Sequence, residues 1–281
     1  MYLEPFYFKK VVEQALAEDL GSGDLTSSSI FLPSHYAKAV ILVKQECILC
    51  GLPVAQEVFR QLSSEISFIS HRQDGERIFP QTVVAEVTGP THLLLSGERV
   101  ALNFLQRLSG IATMTSVYVR EVKDFSTKIV DTRKTIPGLR ILEKYAVRAG
   151  GGTNHRLGLF DAAMIKDNHV KAAGGIRAAV KLVKKNIPFL TPVEVEAATV
   201  EDALEALAAG ADVIMLDNMT TENMARAVQF IQGKALVEAS GGITISRIRE
   251  IAAAGVDVIS VGALTHSVSA VDISMKINEV I

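Results

Sequence analysis

The stretch PVEVEAATVEDALEALAAGADVIMLDNMTTENMARAVQFIQGKALVEASGGITISRIREIAAAGVDVISVG (192–262) decides the fold. Short apolar runs recur in it about every twenty residues, and segments of helical period separate them. Each repeat predicts one strand followed by one helix, which is typical of a parallel sheet or a βα barrel. Two earlier runs, KIVDT (128–132) and AAMIK (162–166), extend the series to six strands. A complete barrel needs eight, so we predict an open, incomplete α/β barrel.

The first part of the chain follows another pattern. An apolar helical stripe ends at Gly21, strand-like segments follow at 37–45 and 82–89, and a long helical segment begins near Leu93. Strands beside a helix predict a small α+β domain over residues 1–108, with the barrel over 109–266. The last segment, 267–281, is amphipathic, and we expect it to return to the first domain.

Composition limits the function. Of the 281 residues, 48% are hydrophobic and 21% are charged, and the net charge is −2. These values exclude intrinsic disorder and argue against a dedicated nucleic-acid binder. No apolar run is long enough for a membrane span, the start MYLEPFYFKK lacks the charge order of a signal peptide, and we expect no membrane partner. The cysteines, Cys47 and Cys50, read as small core residues in a cytoplasmic protein.

Positive charge follows the first two barrel strands. Turn and glycine residues accompany the cations of this group: Arg133, Lys134, His155, Arg156 and Lys166. Arginine binds carboxylates through two parallel hydrogen bonds, and lysine binds phosphate as a compact charge. The group therefore predicts a substrate with several negative charges.

Three other cations have helical spacing. They are Arg140, Lys144 and Arg148, which we assign to the surface or to a helix end.

Acids and glycines follow the later strands. Glu196 and Asp217 stand at successive strand ends and could hold Mg²⁺, which prefers carboxylate oxygens and water. Glu194 points the same way as Glu196, so only one of the two need be functional. Glycines in the segments SGG (240–242) and VGA (261–263) would let backbone N–H groups approach a phosphate.

Three functions remain open on the residues alone. The pattern favours an enzyme that joins a polyanionic carboxylate to a Mg²⁺-bound phosphate compound. An aldolase-type barrel with Lys166 as a Schiff-base lysine is the second possibility, and it requires a desolvated lysine. The third is a non-catalytic anion-binding protein, which would bind its ligand without turnover.

The segment DTRKTIPGLRILEKYAVRAGGGTNHRLGLFDAAMIKDNH (131–169) resembles the signature of the quinolinate phosphoribosyltransferase family. The resemblance continues in order through EDLGSGDLTS (18–27), ERVALNFLQRLSGIAT (98–113), VEVEA (193–197), VIMLDNM (213–219), ASGGI (239–243) and GVDVISVGALTHS (255–267). It implies an N-terminal α/β sandwich domain followed by the open barrel. It also implies transfer of phosphoribosyl from phosphoribosyl pyrophosphate to quinolinate, with Mg²⁺, giving nicotinate mononucleotide, pyrophosphate and CO₂ in de novo NAD synthesis.

The resemblance also implies roles for individual residues. Arg133, His155 and Arg156, with Lys134 and Thr132 nearby, would hold the two quinolinate carboxylates. Lys166, Glu196 and Asp217 would serve phosphoribosyl pyrophosphate and its Mg²⁺, and the two acids would hold the metal directly or through water. Lys134 and Lys166 are expected to be catalytic together with these acids. The phosphate cradle would be formed by Ser240, Gly241, Gly242, Val261, Gly262 and Ala263.

The resemblance also implies a homodimer. Arg99 would reach the active site of the neighbouring subunit of a homodimer, and further assembly of dimers into hexamers stays open. The nearest rival is a relative of the same fold that uses another carboxylated base or takes part in molybdenum uptake. Retention of both DTRK (131–134) and NHR (154–156) favours the dicarboxylate.

Overall fold

A computed structural model describes residues 3–281. The strands are β1 (Tyr36–Val43), β2 (Cys47–Ile48), β3 (Ser67–Ser70), β4 (Arg77–Ile78), β5 (Thr82–Pro90), β6 (Lys128–Val130), β7 (Ala163–Ile165), β8 (Val193–Ala197), β9 (Val213–Asp217), β10 (Leu236–Ser240), β11 (Val258–Ser260) and β12 (Ile273–Val280). The helices are α1 (Lys9–Leu20), α2 (Leu25–Ile30), α3 (Leu52–Leu62), α4 (Thr91–Glu121), α5 (Arg140–Ala149), α6 (Asp167–Ala173), α7 (Ile176–Asn186), α8 (Val200–Ala208), α9 (Thr221–Ile231), α10 (Ile248–Ala253) and α11 (Ala263–His266). A short 3₁₀ turn, Pro5–Tyr7, precedes α1.

The chain forms two compact units. The first contains residues 1–116, 135–151 and 264–281, and the second contains residues 117–134 and 152–263. Segment 135–151, which carries α5, thus groups with the first unit, although the sequence offers no signal for this. The domain division at residues 108 and 109 stays a prediction.

The first unit is built on an antiparallel sheet of order β12-β1-β5-β3. The C-terminal strand β12 pairs with β1 from Ala37–Val280 to Val43–Ile273. Fully buried side chains such as Phe59, Ile41 and Leu105 form its apolar core. Cys47 and Cys50 are buried here and form no disulfide.

The second unit contains a parallel sheet of order β6-β11-β10-β9-β8-β7. Its six strands match the six apolar runs predicted from the sequence, and the expected incomplete barrel is confirmed. Strands β6 and β7 form its two edges, so the sheet does not close through a ladder between them. No helix within residues 3–281 is both long enough and apolar enough to cross a bilayer.

One assignment from the sequence is wrong. Lys144 is fully buried in α5, although its helical spacing from Arg140 and Arg148 predicted a surface position or a helix end. Arg148 is exposed in the last turn of the helix, as expected. Spacing of three or four identifies a helix face, but only the packing of the rest of the unit decides whether that face meets solvent.

Candidate active site

The carboxyl ends of the parallel strands bring polar side chains to one edge of the sheet. Asp217 and Ser240 are register partners at the ends of β9 and β10. Two residues earlier along the strands, Met215 is the partner of both Glu196 and Glu238. Because residues two apart on a strand share a face, these side chains occupy one face of the sheet in successive rows. The sequence prediction of a polar strand-end cluster is therefore supported by the register.

Asp131 anchors the loop that carries NHR (154–156). It follows β6 and is completely buried. Its Oδ1 accepts the backbone N–H of His155 at 2.9 Å, and its Oδ2 accepts the side-chain amide of Asn154 at 2.6 Å. A buried carboxylate with two donors holds two adjacent residues of this segment in place. Asn154 and His155 are therefore fixed relative to Asp131, which directly precedes the turn that carries Arg133 and Lys134.

His155 is bound between two buried glutamates. Its Nε2 lies 3.3 Å from Oε2 of Glu194 and 3.3 Å from Oε2 of Glu238. Burial lowers the pKa of His155, but hydrogen bonds and charge from both glutamates outweigh this effect and raise it. Burial, followed by the charge of Glu238, also raises the pKa of Glu194, against the opposing effect of His155. Both shifts favour binding of a proton within the cluster, which limits its net negative charge.

The other ring nitrogen of His155 faces the backbone. The N–H of Arg156 donates to Nδ1 at 2.7 Å, which requires a lone pair on that atom. With Nδ1 as the acceptor, the ring carries its proton on Nε2, facing the two carboxylates. Both nitrogens thus have partners within the protein.

Arg133 and Arg156 each offer an unpaired, buried donor. The Nε atoms of both guanidinium groups are buried and have no hydrogen-bond partner among the described residues. Arg156 is held at its other end, where it donates to the carbonyl of Ala162 at 2.9 Å and contacts Met164 Sδ at 3.4 Å. Burial, then the neighbouring charge of Arg133, lower the pKa of Arg156, and Glu194 opposes them. An anion between the arginines would satisfy the unpaired donors.

Lys166 and Glu196 form a more open pair. Lys166 directly follows β7, and its Nζ lies 3.2 Å from Oε2 of Glu196 on β8. The lysine side chain is 46% exposed. A Schiff-base lysine needs a desolvated pocket, so this environment does not support the aldolase alternative.

A strained turn orients Asp217. Asn218 has a positive φ of 54°, and its side-chain amide donates to Oδ2 of Asp217 at 2.9 Å. Its backbone N–H donates to the carbonyl of Ser240 at 2.9 Å. Gly241 lies so close that an added Cβ would be 2.3 Å from Asn218 Oδ1. Since Gly241 also has a φ of 86°, both the conformation and the contact require glycine.

The remaining predicted residues have different degrees of exposure. Thr132 Oγ1 accepts the backbone N–H of Lys134 at 3.0 Å, which shapes the turn after β6, and the Lys134 side chain is exposed. Val261 is buried and donates its N–H to Val130, while the last predicted phosphate residues, Gly242, Gly262 and Ala263, are half-buried or exposed. Arg99 lies on α4 in the first unit and is exposed.

Sequence reasoning gave too little weight to four residues: Asp131, Glu194, Asn218 and Glu238. Asp131 and Asn218 read as ordinary strand-end polar residues, and period two placed Glu194 beside Glu196 without revealing its depth. One signal was available, because a glutamate in the middle of the apolar runs VEVEA (193–197) and ALVEAS (235–240) must find a buried partner.

Comparison with known proteins matches the chain from near its start to near its end. The family model for the N-terminal domain of quinolinate phosphoribosyl transferase matches residues 24–109, and that for the C-terminal domain matches residues 111–276. A probable nicotinate-nucleotide pyrophosphorylase [carboxylating] from Bacillus subtilis is 48% identical over 269 residues, which cover 96% of this chain and 93% of the relative. The counterpart from Methanocaldococcus jannaschii is 40% identical over 280 residues, covering 96% and 97%. The crystal structure of NadC from Streptococcus pyogenes superimposes with a TM-score of 0.95 at 43% identity, covering 100% and 99%.

Proposed function

Since this chain belongs to the quinolinate phosphoribosyl transferase family, we propose that the strand-end cluster of its second unit carries the family reaction. The enzyme is a pentosyltransferase of de novo NAD biosynthesis. It transfers phosphoribosyl from phosphoribosyl pyrophosphate to quinolinate and releases CO₂ and pyrophosphate. The substrates of the family are quinolinate and phosphoribosyl pyrophosphate. The assignment of individual residues to this reaction is our proposal.

The observation that carries the assignment is the pair of unpaired arginine donors. Arg133 and Arg156 each bury an Nε–H that has no acceptor within residues 3–281. Quinolinate has two adjacent carboxylates, so each guanidinium can take one of them. An unsatisfied buried donor costs about 1–3 kcal/mol, and the dicarboxylate would remove this cost twice. Lys134 would add positive charge at the exposed side, next to the turn that Thr132 shapes.

Glu196 and Asp217 suit a divalent cation. Their oxygens are hard donors on neighbouring strands, and the Glu196 side chain is 18% exposed, which leaves room for water. These two residues would hold Mg²⁺, which supplies positive charge for the pyrophosphate leaving group. Lys166 would stand on the same side as a second cation. Asn218 would fix the direction of the Asp217 carboxylate through its 2.9 Å hydrogen bond.

The chemistry needs positioning and charge rather than a covalent nucleophile. The bond between ribose C1 and pyrophosphate breaks, and the ring nitrogen of quinolinate forms the new bond to that carbon. The nitrogen becomes a cationic pyridinium. The bond between ring carbon C2 and its carboxylate then breaks, CO₂ leaves, and the electron pair stays on C2, stabilised by the adjacent positive nitrogen, until C2 takes a proton from water. The arginines would hold quinolinate in place until this happens. Ser240, Gly241 and the turn at residues 261–263 would cradle the phosphate through backbone N–H groups.

The assembly and location of the enzyme belong to the same proposal. Arg99, exposed on α4, would enter the active site of a partner subunit, so that the homodimer would be required for activity. We place the protein in the cytoplasm because its two cysteines are buried thiols without a disulfide.

Substrate choice tests the proposal. Purified enzyme with phosphoribosyl pyrophosphate and Mg²⁺ should release CO₂ and pyrophosphate from quinolinate. Nicotinate lacks the second carboxylate and would leave one arginine donor unpaired, so it should react slowly. A chelator should stop turnover while quinolinate still binds, as measured by calorimetry. Equal turnover of nicotinate and quinolinate would refute the role of the two arginines, and full activity without divalent metal would refute that of the acids.

A further inference from the structure

The buried glutamates beneath the anion site need an explanation. Glu194 and Glu238 have side chains that are 6% and 4% exposed, and they lie next to a site that must attract a dianion. Negative charge at this place opposes substrate binding. One carboxylate oxygen of each, Oε1, is also buried without a hydrogen-bond partner among the described residues. Two costly groups at a functional site indicate a specific task.

Their contacts identify the task. The other oxygen of each glutamate lies 3.3 Å from Nε2 of His155, which fixes the plane of the imidazole ring. The opposite side of the ring, Nδ1, accepts the backbone N–H of Arg156 at 2.7 Å. The contacts thus connect strands β8 and β10 through the ring to the backbone of Arg156, whose guanidinium offers an unpaired donor.

The same loop is held from another side. Asp131 binds the N–H of His155 and the amide of Asn154, the two residues that precede Arg156. The direction of the Arg156 backbone N–H depends on the ring of His155, since the ring is its acceptor. A loop carrying a substrate ligand needs such support, because small displacements of the ligand weaken binding strongly.

We infer that Glu194 and Glu238 are positioning residues, which act through the His155 ring to aim Arg156 at a carboxylate of the substrate. The inference rests on the proposed function for the identity of that substrate. It gives His155 a supporting role in place of the carboxylate contact that the family resemblance implies, because both ring nitrogens have protein partners. It also explains why two acids are tolerated near a dianion, since their charge is directed to the ring and not to the substrate.

Two variants of Glu238 separate positioning from simple packing. Glu238→Gln keeps the size of the side chain and an oxygen that accepts from Nε2, whereas Glu238→Met keeps the volume and removes the acceptor. We expect KM for quinolinate to rise about tenfold or more in the Met variant and less than about threefold in the Gln variant. KM for phosphoribosyl pyrophosphate should stay unchanged in both. Glu250→Gln, an exposed glutamate on α10, serves as the matched control.

Nitrogen NMR of labelled histidine supplies a direct readout. His155 should carry its proton on Nε2 in wild type and in Glu238→Gln, and its Nε2 resonance should shift in Glu238→Met. Unchanged quinolinate KM in Glu238→Met would overturn the inference, and so would an equal rise of both KM values in Glu238→Gln. If Glu238→Met does not fold, Glu238→Gln alone tests the inference, through its KM for quinolinate and its KM for phosphoribosyl pyrophosphate.

Wild-type controls distinguish failure of the proposed function from failure of the positioning role. Failure of the wild-type enzyme to use quinolinate would refute the proposed function, whatever the Glu238 variants do. Because His155, Glu194 and Glu238 have ligand atoms within 4.8 Å of one another, metal analysis is included. A stoichiometric metal in wild type that is lost in Glu238→Met would assign the cluster to metal binding and overturn the positioning role.

Discussion

Replacing Asp131 by asparagine should loosen the loop that carries His155 and Arg156. The carboxylate is fully buried and accepts two hydrogen bonds, from the His155 N–H at 2.9 Å and from the Asn154 amide at 2.6 Å. An asparagine side chain has one acceptor oxygen, and its NH₂ group must then face one of these two donors. Asp131→Asn therefore removes one charge-assisted hydrogen bond and leaves a buried donor unsatisfied.

The size of the effect follows from that count. Loss of one hydrogen bond to a charged group lowers the free energy of unfolding by about 1.5–3 kcal/mol. For a protein of this size, each kcal/mol lowers Tm by about 2–4 °C, so the expected decrease is about 3–12 °C. Because the loop supports Arg156, KM for quinolinate should rise about tenfold, whereas KM for phosphoribosyl pyrophosphate should change little.

Calorimetry and steady-state kinetics measure both effects. Asp124→Asn is the control, since Asp124 is 57% exposed and its pair with Arg249 at 3.3 Å should contribute no more than about 0.5–1 kcal/mol. The double variant Asp131→Asn, Asn154→Asp exchanges donor and acceptor and should recover part of the lost stability. If Asp131→Asn matches wild type in both Tm and quinolinate KM, the reasoning about the buried carboxylate is wrong.

Three other outcomes are expected. Gly241→Ala should raise KM for phosphoribosyl pyrophosphate, because the new Cβ would displace Asn218, which orients Asp217. Its control is Gly233→Ala, where φ is 72° and no atom lies within 4 Å of the new Cβ. The control should lose only about 1–2 kcal/mol of stability to its backbone conformation and should have normal kinetics. Asp24 caps α2, and its hydrogen bonds there lower its pKa below the ordinary 3.8. Asp24→Ala should therefore lose about 1 kcal/mol of stability at pH 7, as measured by urea unfolding. The difference in stability from wild type should vanish as the pH falls through the lowered pKa. Mixing Arg99→Ala with Lys166→Ala should restore about a quarter of wild-type activity if sites are shared between subunits, and no recovery despite labelled subunit exchange would contradict sharing.

The periodic signals of the sequence were sufficient for the elements of the sheet. Each predicted run in the barrel became a strand within about one or two residues, for example DVIML (212–216) against Val213–Asp217. The alternation places Val195 and Ala197 on the fully buried face and Glu194 and Glu196 on the other. Such patterns are local, and they are set by which neighbours a residue has along its own strand.

The burial of individual side chains could not be predicted from these local patterns. Lys144 shares its helical spacing with the exposed Arg148, yet it is fully buried. The partner of His155 is Glu238, more than eighty residues later in the chain, and no spacing rule connects them. Residue types predicted which chemistry is present, whereas the division between groups that bind and groups that support them depends on contacts between distant segments.

Exposure divides the acids into groups that bind and groups that support. Glu196 and Glu238 are both register partners of Met215, so they stand in the same row. Their exposure differs, at 18% for Glu196 and 4% for Glu238. Strand β8 is next to the edge strand β7, whereas β10 has at least two neighbours on each side. Strand order alone is not sufficient, because Glu194 lies on β8 two residues before Glu196 and its side chain is only 6% exposed. Exposure is therefore set both by the strand and by the distance from its carboxyl end. Glu196 can keep water and exchange ligands, which suits a metal or a phosphate, whereas the enclosed Glu194 and Glu238 can only orient their neighbours.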